Sequence, residues 1–252
     1  IEKLTGAIII VSSPETIELS ADKWLTTEFL RANSFSYAEA KLPNSINSAC
    51  STAEDWGYPL ILKTREGTSS RHVYKIENRK QLRAYFPLTP LPMLQKPAAN
   101  IEQGLSNEYT CSIFKCSDGQ LIGPFTARRT VRSGASWVVE VATFPELYPL
   151  MYKIAEKLDF MGSLNIQLLL SDEGPVPFEF NARFSGTTHI RAHFGFNEPQ
   201  MAIKSFLLNE RVENPDIGSG ITLRYIDEIF LDNFSTEDLG KVFPQGEKNN
   251  WF

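Results

Sequence analysis

The sequence predicts an α+β protein, with antiparallel hairpins whose faces are covered by helices. Three observations point there. "YPLILKT" and "RHVYKI" flank the polar turn "REGTSS", so 58–77 reads as a hairpin. "NEYTCSIFKCSDGQLIG" alternates around Asp118-Gly119 and reads as a second hairpin. Between such strands lie segments with helical spacing, such as "FPELYPLMYKIAEKLDF". That mixture differs from the strict strand–helix alternation of a doubly wound sheet.

In chain order, "GAIIIVSS" has the pattern of a short buried strand. "SADKWLTTEFLRAN" follows as a helix with Ser20 as N-cap and Trp24, Leu25, Phe29 and Leu30 on one face. Residues 43–56 read as a loop and a short helix, and "NRKQLRAYF" as another helix after the first hairpin. "PLTPLPML" has the proline content of a connector between subdomains. "GSLNIQLLLS" and "PVPFEFNARF" are strands, "NEPQMAIKSFLLNE" is a helix, and "SGITLRYIDEIFL" is a last strand segment.

A chain of 252 residues can bury one large core or two smaller ones. Its formal net charge of -5 argues against a nucleic-acid partner held by a broad basic surface. Cys50, Cys111 and Cys116 form no C-x-x-C pair and have no histidine at ligand spacing, which fits a reduced, cytoplasmic compartment. The longest aliphatic run, "AIIIV", is too short to span a membrane. The chain opens at Ile1 on "IEKLTGAIIIVSS", which suggests that a preceding region is missing.

The stretch "VPFEFNARFSGTT" at 176–188 carries the chemistry. In an extended strand Phe178, Phe180, Ala182 and Phe184 share one face, and Glu179, Asn181 and Arg183 share the other. An odd-length connection such as Asp172-Glu173-Gly174 would set Gln167 of the preceding strand opposite Glu179, on the same side of the sheet. Gln167, Glu179 and Asn181 then form an oxygen-only ligand set suited to Mg²⁺ or Mn²⁺, with Arg183 alongside to meet phosphoryl charge.

With these pieces in view, the sequence resembles the ATP-grasp superfamily, in its carboxylate–amine ligase and carbamoyl-phosphate-synthase-like branch. The resemblance runs in order through "SPETIELSADK", "GYPLILKTREGTSSRHV", "LQKPA", "NEYTCSIFKCSDGQ", "GSLNIQLLL", "PFEFNARFSGTT" and "GFNEP", and again in "GITLRY". It implies an ATP-grasp fold of two α+β subdomains gripping ATP, whose N-terminal pre-ATP-grasp domain is missing. The implied parts are a remnant or linker over 1–22, a helix and lid over 23–93 and a metal-carrying core over 94–252.

The resemblance also implies roles. Lys23 and Lys63 would bind the ATP phosphates, and Ser69 and Ser70 would lie in a mobile phosphate-covering loop. That loop departs from the family in having one glycine, Gly67, and His72 where glycine is frequent. Gln95, Lys96 and Ala98 would contact adenine through the backbone, with Lys96 standing where an acidic residue is usual. Glu108 would receive the ribose hydroxyls. Gln167, Glu179 and Asn181 match the metal ligands, with two Mg²⁺ (or Mn²⁺) ions implied, and Arg183 matches the arginine near the γ-phosphate. Arg128, Arg129, Arg132 and Arg191 are candidates for the carboxylate substrate, with Arg191 the one placed nearest catalysis.

The implied reaction is ATP-dependent activation of a small carboxylate as an acyl phosphate, followed by attack of an amine. Phosphorylation of bicarbonate or carbamate, and a nucleotide-binding fragment without turnover, are the alternatives. No membrane partner is expected, and an oligomer is compatible with the reading.

Overall fold

The computed structural model describes residues 2–67, 71–99 and 107–224. Helices α1 (Glu2–Thr5), α2 (Pro14–Ala21) and α3 (Lys23–Ala32) lead to strand β1 (Ala40–Lys41) and helix α4 (Ile46–Trp56). Strands β2 (Leu60–Thr64) and β3 (Val73–Ile76), helix α5 (Arg79–Tyr85) and strand β4 (Pro92–Gln95) follow. Next come β5 (Glu108–Lys115), β6 (Leu121–Phe125), β7 (Ala127–Arg132), β8 (Ala135–Val141) and α6 (Tyr148–Lys157). Strands β9 (Gly162–Ser171) and β10 (Gly174–Asn181), helices α7 (Thr188–His193) and α8 (Glu198–Ala202), and β11 (Gly220–Leu223) complete them.

The strands form two sheets. The smaller has the order β1-β4-β2-β3 and is backed by α4 and α5 through Ala49, Ala53, Leu60, Leu62, Ile76 and Leu82. The larger runs β10-β9-β5-β7-β8-β11, with β6 paired to β5. One of its faces packs Leu164, Ile166, Leu168 and Phe180 on Met151 and Ile154 of α6. A second cluster joins Phe125, Ala127, Val139 and Val141 to Ile190, Phe196 and Met201 near α7 and α8. Strands paired antiparallel within sheets, with helices against their faces, are the α+β arrangement expected. Among the described residues no helix is long and apolar enough to cross a membrane.

Several local expectations change. Residues 6–13 are not in a strand, and Ile8, Ile9 and Val11 are exposed. The helix expected from Ser20 is two helices. Ser20 lies inside α2, and Asp22 is the real N-cap of α3, accepting from the Trp24 N–H at 2.8 Å. Both helices touch β10, and Leu30 is part of the larger sheet's core. "PMLQ" is strand β4 of the smaller sheet rather than connector, so that sheet extends to Gln95. The helix begun at Glu198 turns into a π-helix over Ile203–Leu207. Only Gly220–Leu223 of the last expected strand is seen, and its part beyond Arg224 lies outside the described residues.

The hairpin β7–β8 was not expected from the sequence. Its signal is present, for Ser133-Gly134 is a two-residue turn with both φ positive, 49° and 76°. Alternating residues flank it on both sides.

Candidate active site

Strand register builds the site. Glu179 pairs with Gln167 and Asn181 with Asn165 across β10 and β9. The route differs from the expected one. The loop is the two residues Asp172-Glu173, since Gly174 already pairs with Ser171. Continued unbroken, that ladder would set Glu179 against Ile166, on the core face. A one-residue bulge between Pro177 and Glu179 leaves Phe178 unpaired and shifts the register. Glu179 is thereby returned to the polar face.

The bulge also corrects the aromatic anchors. Phe180 is fully buried and meets Phe29 edge-on with ring centroids 5.9 Å apart. Phe178 is half-buried and Phe184 exposed, so neither holds the strand as Phe180 does.

The polar face is a hydrogen-bonded unit. Gln167 Nε2 and Asn181 Nδ2 donate to Glu179 Oε1 at 3.4 and 3.0 Å. Arg183 donates to Asn181 Oδ1 at 2.9 Å and to the Phe184 carbonyl at 2.9 Å. On the other side Arg129 donates to Gln167 Oε1 at 2.8 Å, to Glu108 Oε1 at 2.7 and 3.0 Å, and to Ser136 Oγ at 3.2 Å.

Among the described residues no three His, Cys, Asp or Glu side chains gather to hold a metal. A cation here would have to draw on Glu179 and the two amides. These residues fit a hard ion. A half-turn of each amide about its last, broadly two-fold torsion brings its oxygen to the carboxylate. The resulting set of one carboxylate and two carbonyl oxygens suits an ion that keeps waters or phosphate oxygens.

Two lysines on different elements lie within the electrostatic reach of this carboxylate. Lys23 opens α3, and its Nζ donates to the Gly67 and Arg65 carbonyls at 3.1 and 3.4 Å. Asp22 beside it pairs with Arg65, which ties the helix start to the end of β2. Lys63 sits in β2, buried, its ammonium making no hydrogen bond among the described residues. Burial, then the Lys23 charge, lowers its ammonium to about 8 against the pull of Glu179. Burial also lowers Lys23, opposed first by Glu179.

Other assigned residues are placed less simply. Ser69 and Ser70 lie outside the described residues. The Gln95 side chain is buried and donates to the Ala38 carbonyl, and the Lys96 N–H is used by the Glu39 carbonyl at 2.9 Å. Lys96 therefore has no free N–H for a base, and only carbonyls and Ala98 remain on that segment. Glu108 is held by Arg129. Arg128 pairs with Glu140, and exposed Arg132 stacks on Trp137, 5.3 Å from the ring centroid.

Arg191 is fully buried and paired with fully buried Glu198, both carboxylate oxygens lying 3.1 Å from its Nη1. It also donates to Asn165 Oδ1. Its side chain has no exposure, and it braces Thr110 and Asn165 on the same sheet face as Gln167.

Beside Glu179 the sheet opens into a cavity of about 260 Å³. Glu179, Gln167 and Asn181 stand on its wall, and Lys23 and Lys63 do not. Its remaining lining includes Arg129, Arg183, Ser136, Thr187 and Arg224. The last three were not foreseen.

The site combines a carboxylate, two amides and two lysines within the carboxylate's electrostatic reach, the make-up that the resemblance to the ATP-grasp superfamily led us to expect. Comparison with solved structures agrees. The carboxyaminoimidazole ribonucleotide synthase of Aspergillus clavatus, complexed with ATP, superposes with a TM-score of 0.74 at 15% identity, over 88% of this chain and 61% of that one. The biotin carboxylase domain of the Hydrogenobacter thermophilus 2-oxoglutarate carboxylase, complexed with MgADP, ADP and bicarbonate, superposes at 0.70 with 18% identity, over 87% and 53%. The carbamoyl phosphate synthase large chain of Pseudothermotoga lettingae is 24% identical over 193 residues, 72% of this chain and 17% of that protein. The chain thus spans well under two thirds of these relatives' lengths. The profile of the family described as "ATP-grasp in the biosynthetic pathway with Ter operon" matches residues 104–229, half of the chain. The protein belongs to the ATP-grasp family.

Proposed function

We propose that this chain is the nucleotide- and metal-binding part of a ligase that activates a small carboxylate with ATP for attack by an amine. The observation that carries the reading is the grouping of Gln167 and Asn181 on Glu179, with Lys23 and Lys63 within its electrostatic reach. Two ammonium groups next to a hard-ion site suit a polyphosphate bridged by metal. Mg²⁺ or Mn²⁺ bound there, as one ion or two, would neutralise charge on the phosphate oxygens.

The chain's own groups have distinct tasks. Lys23 and Lys63 hold the phosphates on the nucleotide side. Glu179, with the two amides, fixes the ion. Arg183, at the cavity rim with only neutral acceptors, can meet charge on the transferred phosphoryl group. Ala98 and the carbonyls near Gln95 and Lys96 face the base, and Glu108 reaches the ribose once Arg129 yields it. Arg129 is placed for the substrate, whereas Arg132 is set aside by its stack on Trp137.

In the reaction an oxygen of the substrate carboxylate attacks the γ-phosphorus, and the bond to the β,γ-bridging oxygen breaks with its electron pair leaving on ADP. The amine lone pair then adds to the acyl carbon, phosphate departs, and the amine proton goes to solvent.

Bicarbonate or carbamate as the phosphorylated acid is a second reading. The cavity's volume favours it, since about 260 Å³ is at the small end of ligand pockets.

The test is Mg²⁺-dependent ADP release with panels of carboxylates and bicarbonate, with hydroxylamine added to trap an acyl phosphate as hydroxamate. Hydroxamate formation supports a carboxylate, and bicarbonate-dependent ADP release without it supports the second reading. Turnover that survives in Glu179→Gln overturns the metal assignment.

A further inference from the structure

We propose that the cavity beside Glu179 takes an acid bearing a second anionic group, and that Arg224 is the residue that selects it. The inference rests on the ligase reading of the site and narrows its substrate class.

Sheet register brings Arg224 there. Thr222 pairs with Val139, and Val139 with Arg129, so Thr222 shares the face on which Arg129 reaches Gln167. Arg224 follows two residues later and continues the ladder, its N–H donating to the Trp137 carbonyl at 2.7 Å. Its side chain returns to that same face and lines the cavity, while Ile221 and Leu223 point away, exposed.

The charges are unequal. Arg129 is neutralised by Glu108. Arg183 donates only to an amide and a backbone carbonyl. The Arg224 guanidinium has no side-chain hydrogen bond or ion pair among the described residues. Against these, Glu179 is the one carboxylate among the described residues of the cavity wall, and the metal reading commits it to a cation. Desolvation, then the Arg224 charge, lowers the neighbouring His189, so that ring brings no carboxylate-like offset.

Two guanidinium groups without anionic partners among the described residues therefore flank a cavity supplied with the Ser136, Ser185 and Thr187 hydroxyls. A monoacid activated next to Glu179 needs one cationic partner. The second, at the β11 end, is left for a further carboxylate or a phosphoryl group, which guanidinium recognises in a bidentate manner.

Binding of butyrate, succinate and phosphonoacetate, followed by the fluorescence of Trp137 in the MgADP-loaded protein, tests this. Succinate or phosphonoacetate should bind about tenfold or more tightly than butyrate, and the better of the two identifies the second group. Arg224→Gln should erase that preference, Arg224→Lys should restore part of it, and MgADP affinity should be unchanged in both. Equal binding of the three acids, or a preference that survives Arg224→Gln, overturns the inference. MgADP binding without any acid preference leaves the ligase reading standing and this inference refuted. Acid preference without acid-dependent ADP release does the reverse.

Discussion

Glu179 stands opposite Gln167 because Phe178, between it and Pro177, is bulged out of the ladder. A two-residue loop and a bulge together shift the strand by the one position that an odd loop would have supplied. The polar face of "FEFNAR" and the hydrogen-bonded unit on it depend on that shift, since a one-residue slip exchanges the faces of a strand.

The bulge predicts unequal roles for two similar phenylalanines. Phe180→Ala removes a fully buried ring from the core and should cost about 3–5 kcal/mol. Phe178→Ala removes a half-buried ring that no ladder position holds, and should cost about half as much or less. Urea unfolding of the two variants measures both. Equal losses would mean that Phe178 is packed as a regular strand residue.

Lys63 predicts a pH dependence. Its folded value, about 8, lies below its ordinary 10.5, so below pH 8 the buried charge opposes folding. Between 8 and 10.5 the folded chain has released the proton and the unfolded chain still holds it, so stability gains as pH rises through that window. At pH 7 Lys63→Met should be more stable than the parent by up to roughly 3 kcal/mol, the free-energy equivalent of the shift. The gap should close by pH 10.5. Denaturant midpoints at pH 7 and 10 decide it, and a gap that widens with pH refutes the assignment.

Much of this arrangement was legible in the sequence, for identifiable reasons. The alternation of Glu179, Asn181 and Arg183 is a local, period-two signal, and so is that of Asn165 and Gln167. Lys63 ends a strand bounded by turn residues. Other features are set by distant partners. Nothing near Ile8–Val11 says that this apolar run will stay outside the sheets and largely exposed. Nothing near Arg224 says that β11 will lie on β8 and aim it at Glu179's cavity. The buried state of Arg191 depends on Glu198, Asn165 and Thr110, which reach it from other elements. Ser133-Gly134 was legible as a hairpin turn, and its neighbours Arg128, Arg129 and Arg132 drew attention to charge instead.

The Arg191–Glu198 pair predicts a stability effect separate from catalysis. Both groups are wholly buried, and Glu198 also accepts from the Ser112 and Ser163 hydroxyls. Arg191→Leu leaves that carboxylate buried without its cation and should cost about 3–5 kcal/mol. Replacing both residues by leucine should cost less than Arg191→Leu alone, because no unpaired charge remains. Chemical unfolding of the single and double variants tests the order, and a double variant worse than the single one contradicts it.

Gly195 predicts a link between a turn and the cavity. Its φ is +99°, and a Cβ there would stand 2.5 Å from the Asp216 carbonyl oxygen. The turn also binds the passing segment, since the Gly218 N–H donates to the Phe194 carbonyl at 2.9 Å. That segment delivers β11, and Gly220 at its start packs so closely on Phe194 that a Cβ would lie 2.9 Å from the ring. Gly195→Ala must therefore displace backbone, and should cost about 1–3 kcal/mol in strain alone. The displacement is passed along residues 216–220 to Arg224 rather than to Lys23 or Lys63. Succinate affinity should fall in Gly195→Ala while MgADP affinity holds. A loss confined to MgADP would place the mechanical connection on the other side of Glu179.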